Sequence, residues 1–104
     1  MSATILFSEG RMWAAREIGF VEIMSRAAKH CENDPIVCDL IGVARHTLAL
    51  GLERYERPIR LRIERALHKA ASELLEEMQS RSESSGEVEA VQRLIDLIDS
   101  DRGH

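Results

Sequence analysis

Apolar positions recur every three or four residues along most of this chain. Trp13, Phe20, Met24, Ala27 and Cys31 share one helical face, with Val21 and Ala28 beside them and Arg11, Glu22, Arg26 and Lys29 opposite. The spacing predicts a first helix over about 9–30, with Ser8 as its N-cap and Glu9 at its positive end. Residues 2–8 are short, partly β-branched and apolar, and read as an extended lead-in without a strand partner. Asp34 followed by Pro35 marks the sharpest boundary, a capping carboxylate before a proline at the first helical position. The second helix is predicted over about 35–55. Its apolar positions, Ile36 to Leu50, cover more than half the circumference, so it is expected to be the innermost helix.

Gly51 and Pro58 bracket a bend, and a third helix is predicted over about 58–80. Tyr55, Ile59, Ile63, Ala66, Leu67, Ala70 and Leu74 form its apolar face, and Arg54, Arg62, Arg65 and Lys69 line another side. Arg60–Glu64 and Lys69–Glu73 have the spacing of surface ion pairs. Residues 81–86 form a polar link, in which Ser84 and Glu87 read as a capping box. A fourth helix is predicted over about 85–99, with Val88, Val91, Leu94, Ile95 and Ile98 as its stripe. Short connections favour antiparallel neighbours, so the expected fold is an all-α, up-down bundle of about four helices in one domain.

Composition supports one small globular domain. There are 104 residues, 44% hydrophobic and 31% charged, with only four aromatic residues of the Phe, Trp and Tyr kinds. The core must therefore be aliphatic. Glycines number 6 and prolines 2, too few for the many turns of an all-β fold. No apolar run reaches the length of a membrane span, and the first residues lack a basic, cleavable leader. A cytoplasmic protein with reduced thiols is expected, with all residues from Met1 onward native.

Charge changes the picture more. The net value is −4, but residues 53–70 sum to +3 and residues 71–104 to −6. A nucleic-acid ligand is therefore not expected, despite the basic row of the third helix. The acidic run Glu73, Glu76, Glu77, Glu83, Glu87, Glu89, Asp96 and Asp99 suits a basic protein partner, whose association opposite charge would steer.

Candidate chemistry is sparse. His30, Cys31, Cys38 and His46 are zinc-type ligands at the wrong spacing, since Cys38 and His46 stand about 12 Å apart along one helix. No metal and no cofactor are expected. Asp39, Gly42 and His46 share a polar stripe, but His46 lacks a charge-tuned neighbour. Glu17 interrupts the apolar face of the first helix, which calls for a salt-bridge partner or local exposure. No pair of reactive residues sits at working distance, so no catalytic residue is assigned and an enzyme is not expected.

The expected function is a small non-catalytic protein-binding module. Its sharpest form is an acidic immunity or antitoxin-type inhibitor that caps a basic toxin such as a nuclease. The chain resembles such proteins in size, charge and helix content, without a shared motif. One alternative is a self-associating bundle, a homodimer anchored by Met12, Trp13 and Met24. Another is a ligand-binding or enzymatic domain with a site near Glu17 or His46.

Overall fold

Residues 2–7 alternate rather than spiral. Ala3, Ile5 and Phe7 are buried, while Ser2, Thr4 and Leu6 are more open, which is the two-residue period of a strand with one covered face. The computed structural model describes residues 2–82 and 85–102. In it, β1 (Ser2–Leu6) is the middle strand of a three-stranded sheet. It pairs antiparallel with β2 (Met12–Arg16) and parallel with β3 (Ala49–Gly51).

Four α-helices complete the chain: α1 (Glu17–Lys29), α2 (Pro35–Thr47), α3 (Arg57–Ser80) and α4 (Ser85–Arg102). The protein is mostly helical and forms one compact domain, but it is not all-α. Among the described residues no helix is long and apolar enough to cross a membrane.

The departure from the expected bundle has a local cause. Glu9 and Gly10 both take left-handed backbone angles, φ 63° and 76°. Two consecutive positive φ values reverse the chain with the hand that twisted strands need. The Phe7 amide then donates to the Arg11 carbonyl at 2.7 Å, which starts the β1–β2 ladder. Ser8 therefore sits in a turn instead of capping a helix. Met12–Arg16 is strand, and α1 begins only at Glu17.

A second reversal ends α2. Leu48 closes the helix at φ 62°, and its carbonyl accepts from the Thr4 amide at 3.1 Å. A left-handed residue at a helix C-terminus is ordinarily glycine, because a Cβ there is strained. In this position it turns the chain out of α2 and into β3, so the second helix stops short of residue 55. The Asp34 cap behaves as expected, with its Oδ1 accepting from the Val37 amide at 3.3 Å.

Burial places α3 at the centre, not α2. Ile63, Ala66, Leu67, Ala70 and Ala71 of α3 meet Phe20, Ile23, Met24 and Ala27 of α1, and Val91, Leu94 and Ile98 of α4 pack on α3. Only Val37, Ile41 and Ala44 of α2 are buried, and Ile36 and Val43 face outward. Part of the apolar circumference that marked α2 as innermost is thus solvent-facing. Trp13 and Met24, expected as exposed anchors, are core residues; Met12 alone of that set is exposed, at 51%.

The register sorts side chains by parity, because a one-residue slip would exchange the faces of a strand. Ile5→Ala is expected to cost about 2–5 kcal/mol, as a buried large-to-small change does. Met12→Ala, on the open face, is expected to cost less than about 0.5 kcal/mol. Urea denaturation of the two variants checks this, and equal losses would contradict the register.

Candidate functional site

The sheet covers its inner face incompletely, and an apolar cleft of about 1020 Å³ results. Trp13 and Ala15 of β2 line one side. Ile18, Val21 and Ile23 of α1, Leu74 and Met78 of α3, and Ala90 and Val91 of α4 supply the rest of the apolar lining. The position of each follows from local structure. Trp13 and Ala15 are the inward residues of β2, and Ile18 follows directly in the first turn of α1. The Trp13 indole N–H donates to the Ala90 carbonyl at 2.8 Å, tying β2 to α4 across the cleft. The Trp13 side chain is held rigid, at 2% exposure.

Ile18 is the exposed lip. Its side chain is 84% accessible, the highest among the described large apolar residues. Charged groups line the rim: Glu17, Glu22 and Glu87 against Arg16 and Arg81. Glu22 is already bound by Arg26, at 2.9 Å. Glu17 opens α1 as its first residue, so its carboxylate stands at the positive helix end and is exposed. That answers why an acid interrupts the apolar pattern: the position is a rim, not a core. A ligand pocket of this kind, apolar with a few charged groups at its edge, is a usual binding surface.

The acidic run is not one surface. Glu73 accepts from His30 at 2.9 Å, and this contact holds its carboxyl below the ordinary range. Glu77 is bound by Arg26, and Asp99 meets His68 at 3.3 Å. Glu73, Glu76 and Glu77 share a groove with Arg26 and Lys29, so their charge is partly neutralised within the fold. Glu87, Glu89 and Asp96 are exposed along α4, where Asp96 accepts from Gln92 at 3.1 Å. Glu83, and Ser84 of the expected capping box, lie outside the described residues.

The basic row is also divided. Arg62 grips Asp34 through two bonds, Nε at 2.7 Å and Nη2 at 2.5 Å, and so pins the α1–α2 turn to α3. Arg62 therefore meets the cap of α2. Arg65 and Lys69 flank a small hollow of about 150 Å³ beside His30 and Cys31.

Asp39 and His46 lie exposed on the outer face of α2, away from the cleft lining, and no hydrogen bond joins them. Among the described residues no three His, Cys, Asp or Glu side chains converge on a metal position. Cys31 and Cys38 are free thiols. Burial, then the adjoining Cys38 thiol, push Cys31 up to about 11, which leaves it a neutral, unreactive group at ordinary pH.

One cluster escaped the sequence reading. Glu64 and Asp101 are both fully buried where α3 crosses the end of α4. Asp101 Oδ1 accepts from the Ser8 amide at 3.1 Å and from Arg11 Nη2 at 3.2 Å. Arg60 Nε lies 3.7 Å from Asp101 Oδ2. Neither Glu64 oxygen meets an N–H donor, and neither does Asp101 Oδ2 within bonding distance. A proton on Glu64 supplies the missing donor, as an O–H directed to Asp101. Burial, and then the Asp101 carboxylate, push Glu64 up to about 8. Burial also raises Asp101, but bonds from Glu64 and Ser8 and the charge of Arg60 outweigh it and hold Asp101 low. The Arg60–Glu64 spacing suggested a surface ion pair; Glu64 is instead an interior acid, and Arg60 faces Asp101. The pair clamps α4 to α3 and to the hairpin turn.

Neither a protein-family model, nor a curated protein, nor a solved structure matches this chain.

Linkage gives the clamp a pH signature. Glu64 titrates near 8 folded and near 4.5 unfolded, so the folded state holds the extra proton between those values. Stability is expected to fall as pH rises from about 4.5 to about 8, and to level off above, by on the order of a few kcal/mol. Asp101 acts in the opposite sense, and its contribution is lost only as pH drops through its lowered value. Glu64→Gln keeps a neutral donor and should be the more stable protein at pH 9. Thermal melts of both proteins from pH 4 to 9 test this, and parallel curves would refute it.

Proposed function

We propose that this protein is a non-catalytic protein-binding module whose cleft takes an apolar anchor from a protein partner. The observation that carries the reading is the open apolar cleft with Ile18 at its lip. An apolar surface left facing water costs free energy, which a partner's side chain removes. The rim directs the partner's chemistry. Glu22 is engaged by Arg26, so Glu17 and Glu87 are the acids left to face an incoming chain. A basic residue beside an apolar anchor complements them. The clustered aromatic and aliphatic lining resembles the buried centre of interfaces in which a few anchors dominate affinity.

The sharper form of the reading is an inhibitor that caps a basic toxin, in the manner of an immunity protein. The net charge of −4 and the exposed acids of α4, Glu87, Glu89 and Asp96, support it. Such a surface would add on-rate and salt sensitivity to affinity supplied by the cleft. The paired state of Glu73, Glu77 and Asp99 confines this steering role to α4 and the cleft rim.

Trp13 is the sole tryptophan and lines the cleft, so its emission reports occupancy. A partner bound by the wild type should shift that emission. Ile18→Glu should weaken capture of the same partner at least about tenfold, since it puts a charge at a desolvated anchor. Glu17→Lys should weaken it less, with a reduced dependence on salt. Unchanged capture by Ile18→Glu, with Trp13 emission unaffected by the partner, would overturn the assignment.

A further inference from the structure

Among the described residues the second edge of β2 is bare. The hydrogen bond from Phe7 to Arg11 shows which pairs of the hairpin are bonded. By alternation, Trp13 and Ala15 turn their backbone groups toward β1. Met12, Ala14 and Arg16 therefore turn theirs away from the sheet, where β2 has no neighbouring strand. The same parity sends the Thr4 amide to the β3 side, as its bond to Leu48 confirms. All three edge-facing residues are solvent-exposed.

Natural sheets guard such edges with lysine, proline, bulges or a covering segment. The β2 edge has no lysine, proline or bulge, and its one charge is Arg16 at the end of the strand. The outward face beside it is also nearly uncharged, built from Thr4, Leu6, Met12, Ala14 and Ala49.

We propose that β2 pairs antiparallel with β2 of a second copy, about a twofold axis at Ala14, to form a continuous six-stranded sheet. Self-complementarity selects this occupant. With Ala14 opposite Ala14, Met12 faces Arg16 of the second copy, and all three edge residues of each strand are used. The two Arg16 guanidiniums stay apart, at opposite ends of the joined strands. On the inner face Trp13 meets Ala15, a large residue against a small one. Shifting the register by two residues one way opposes the two Trp13 side chains, and either shift shortens the pairing. The axis makes the interface isologous, the closed geometry usual for dimers. One short strand pair buries less than the roughly 1600 Å² of a standard interface, so the dimer is weak and its population depends on protein concentration.

This pairing is independent of the cleft reading, because the protein is its own probe. Light scattering or sedimentation equilibrium from about 10 µM to 1 mM should show the mass rising from one chain toward two. Ala14→Pro removes an amide that faces solvent in the monomer, and Ala14→Lys sets two like charges on the axis. Both should remain monomeric, with the helical circular dichroism of the wild type. Ala14→Cys should cross-link across the axis when incubated with glutathione disulfide: two thiols become one disulfide as the oxidant is reduced to two thiols. Met12→Cys, which faces Arg16, and the wild type should not. Wild-type chains monomeric throughout, a dimer that survives both Ala14→Pro and Ala14→Lys, or Met12→Cys cross-linking as fast as Ala14→Cys would each overturn the proposal.

Discussion

Everything in this fold hangs on β1 having a partner on each side. A strand buried on one face must also satisfy its backbone along both edges. The chain meets that demand by two tight reversals, at Glu9–Gly10 and at Leu48, each using left-handed backbone. The first brings β2 alongside, and the second brings β3. With both in place, Ala3, Ile5 and Phe7 present one apolar row to α1. The helices then pack on a sheet instead of on one another alone. Leu48 is strained for a residue with a Cβ, but its carbonyl receives the Thr4 amide, so the strain and the sheet are supported together.

The helical part was legible because its periodicity is dense. Asp34–Pro35 announces α2, and Pro58 announces α3 within a residue of its true start. The sheet was not legible, for reasons that lie in particular residues. Met, Ala and Arg in Met12–Arg16 are all good helix formers, and Trp13 happens to stand at helical spacing from Phe20. Tertiary pairing overrode that local preference. The alternation of Ala3, Ile5 and Phe7, and Gly10 after them, was the available signal for a hairpin. Leu48 gave no signal, since a leucine does not announce a left-handed turn.

The candidate site divides in the same way. Glu17 was legible as an anomaly, and its meaning came only with the fold: α1 starts there, and the carboxylate stands on the rim of a cleft. The acidic run was legible as charge but not as surface, because sequence does not show that His30, Arg26 and His68 reach Glu73, Glu77 and Asp99. Glu64 was hidden altogether. Its spacing from Arg60 suggested a surface pair, whereas Arg60 faces Asp101, 41 positions away from it along the chain. Contacts of that range follow from packing alone.

The buried carboxyls and the cleft are connected through β2. Asp101 holds Ser8 and Arg11, the residues that begin and follow the hairpin turn, and Trp13 two positions on holds Ala90 of α4. The end of α4 and its middle thus grip the same hairpin at two points. A strand fixed on its inner side in this way keeps its outer backbone groups in line without help from a neighbour. The alternation of β2 then separates two roles at single-residue resolution, since odd positions face the cleft and the bonded ladder while even positions face the bare edge. A charge in place of Ala14 would disturb the bare edge and leave the cleft lining untouched. Rigid anchoring by α4 is what lets five residues serve both.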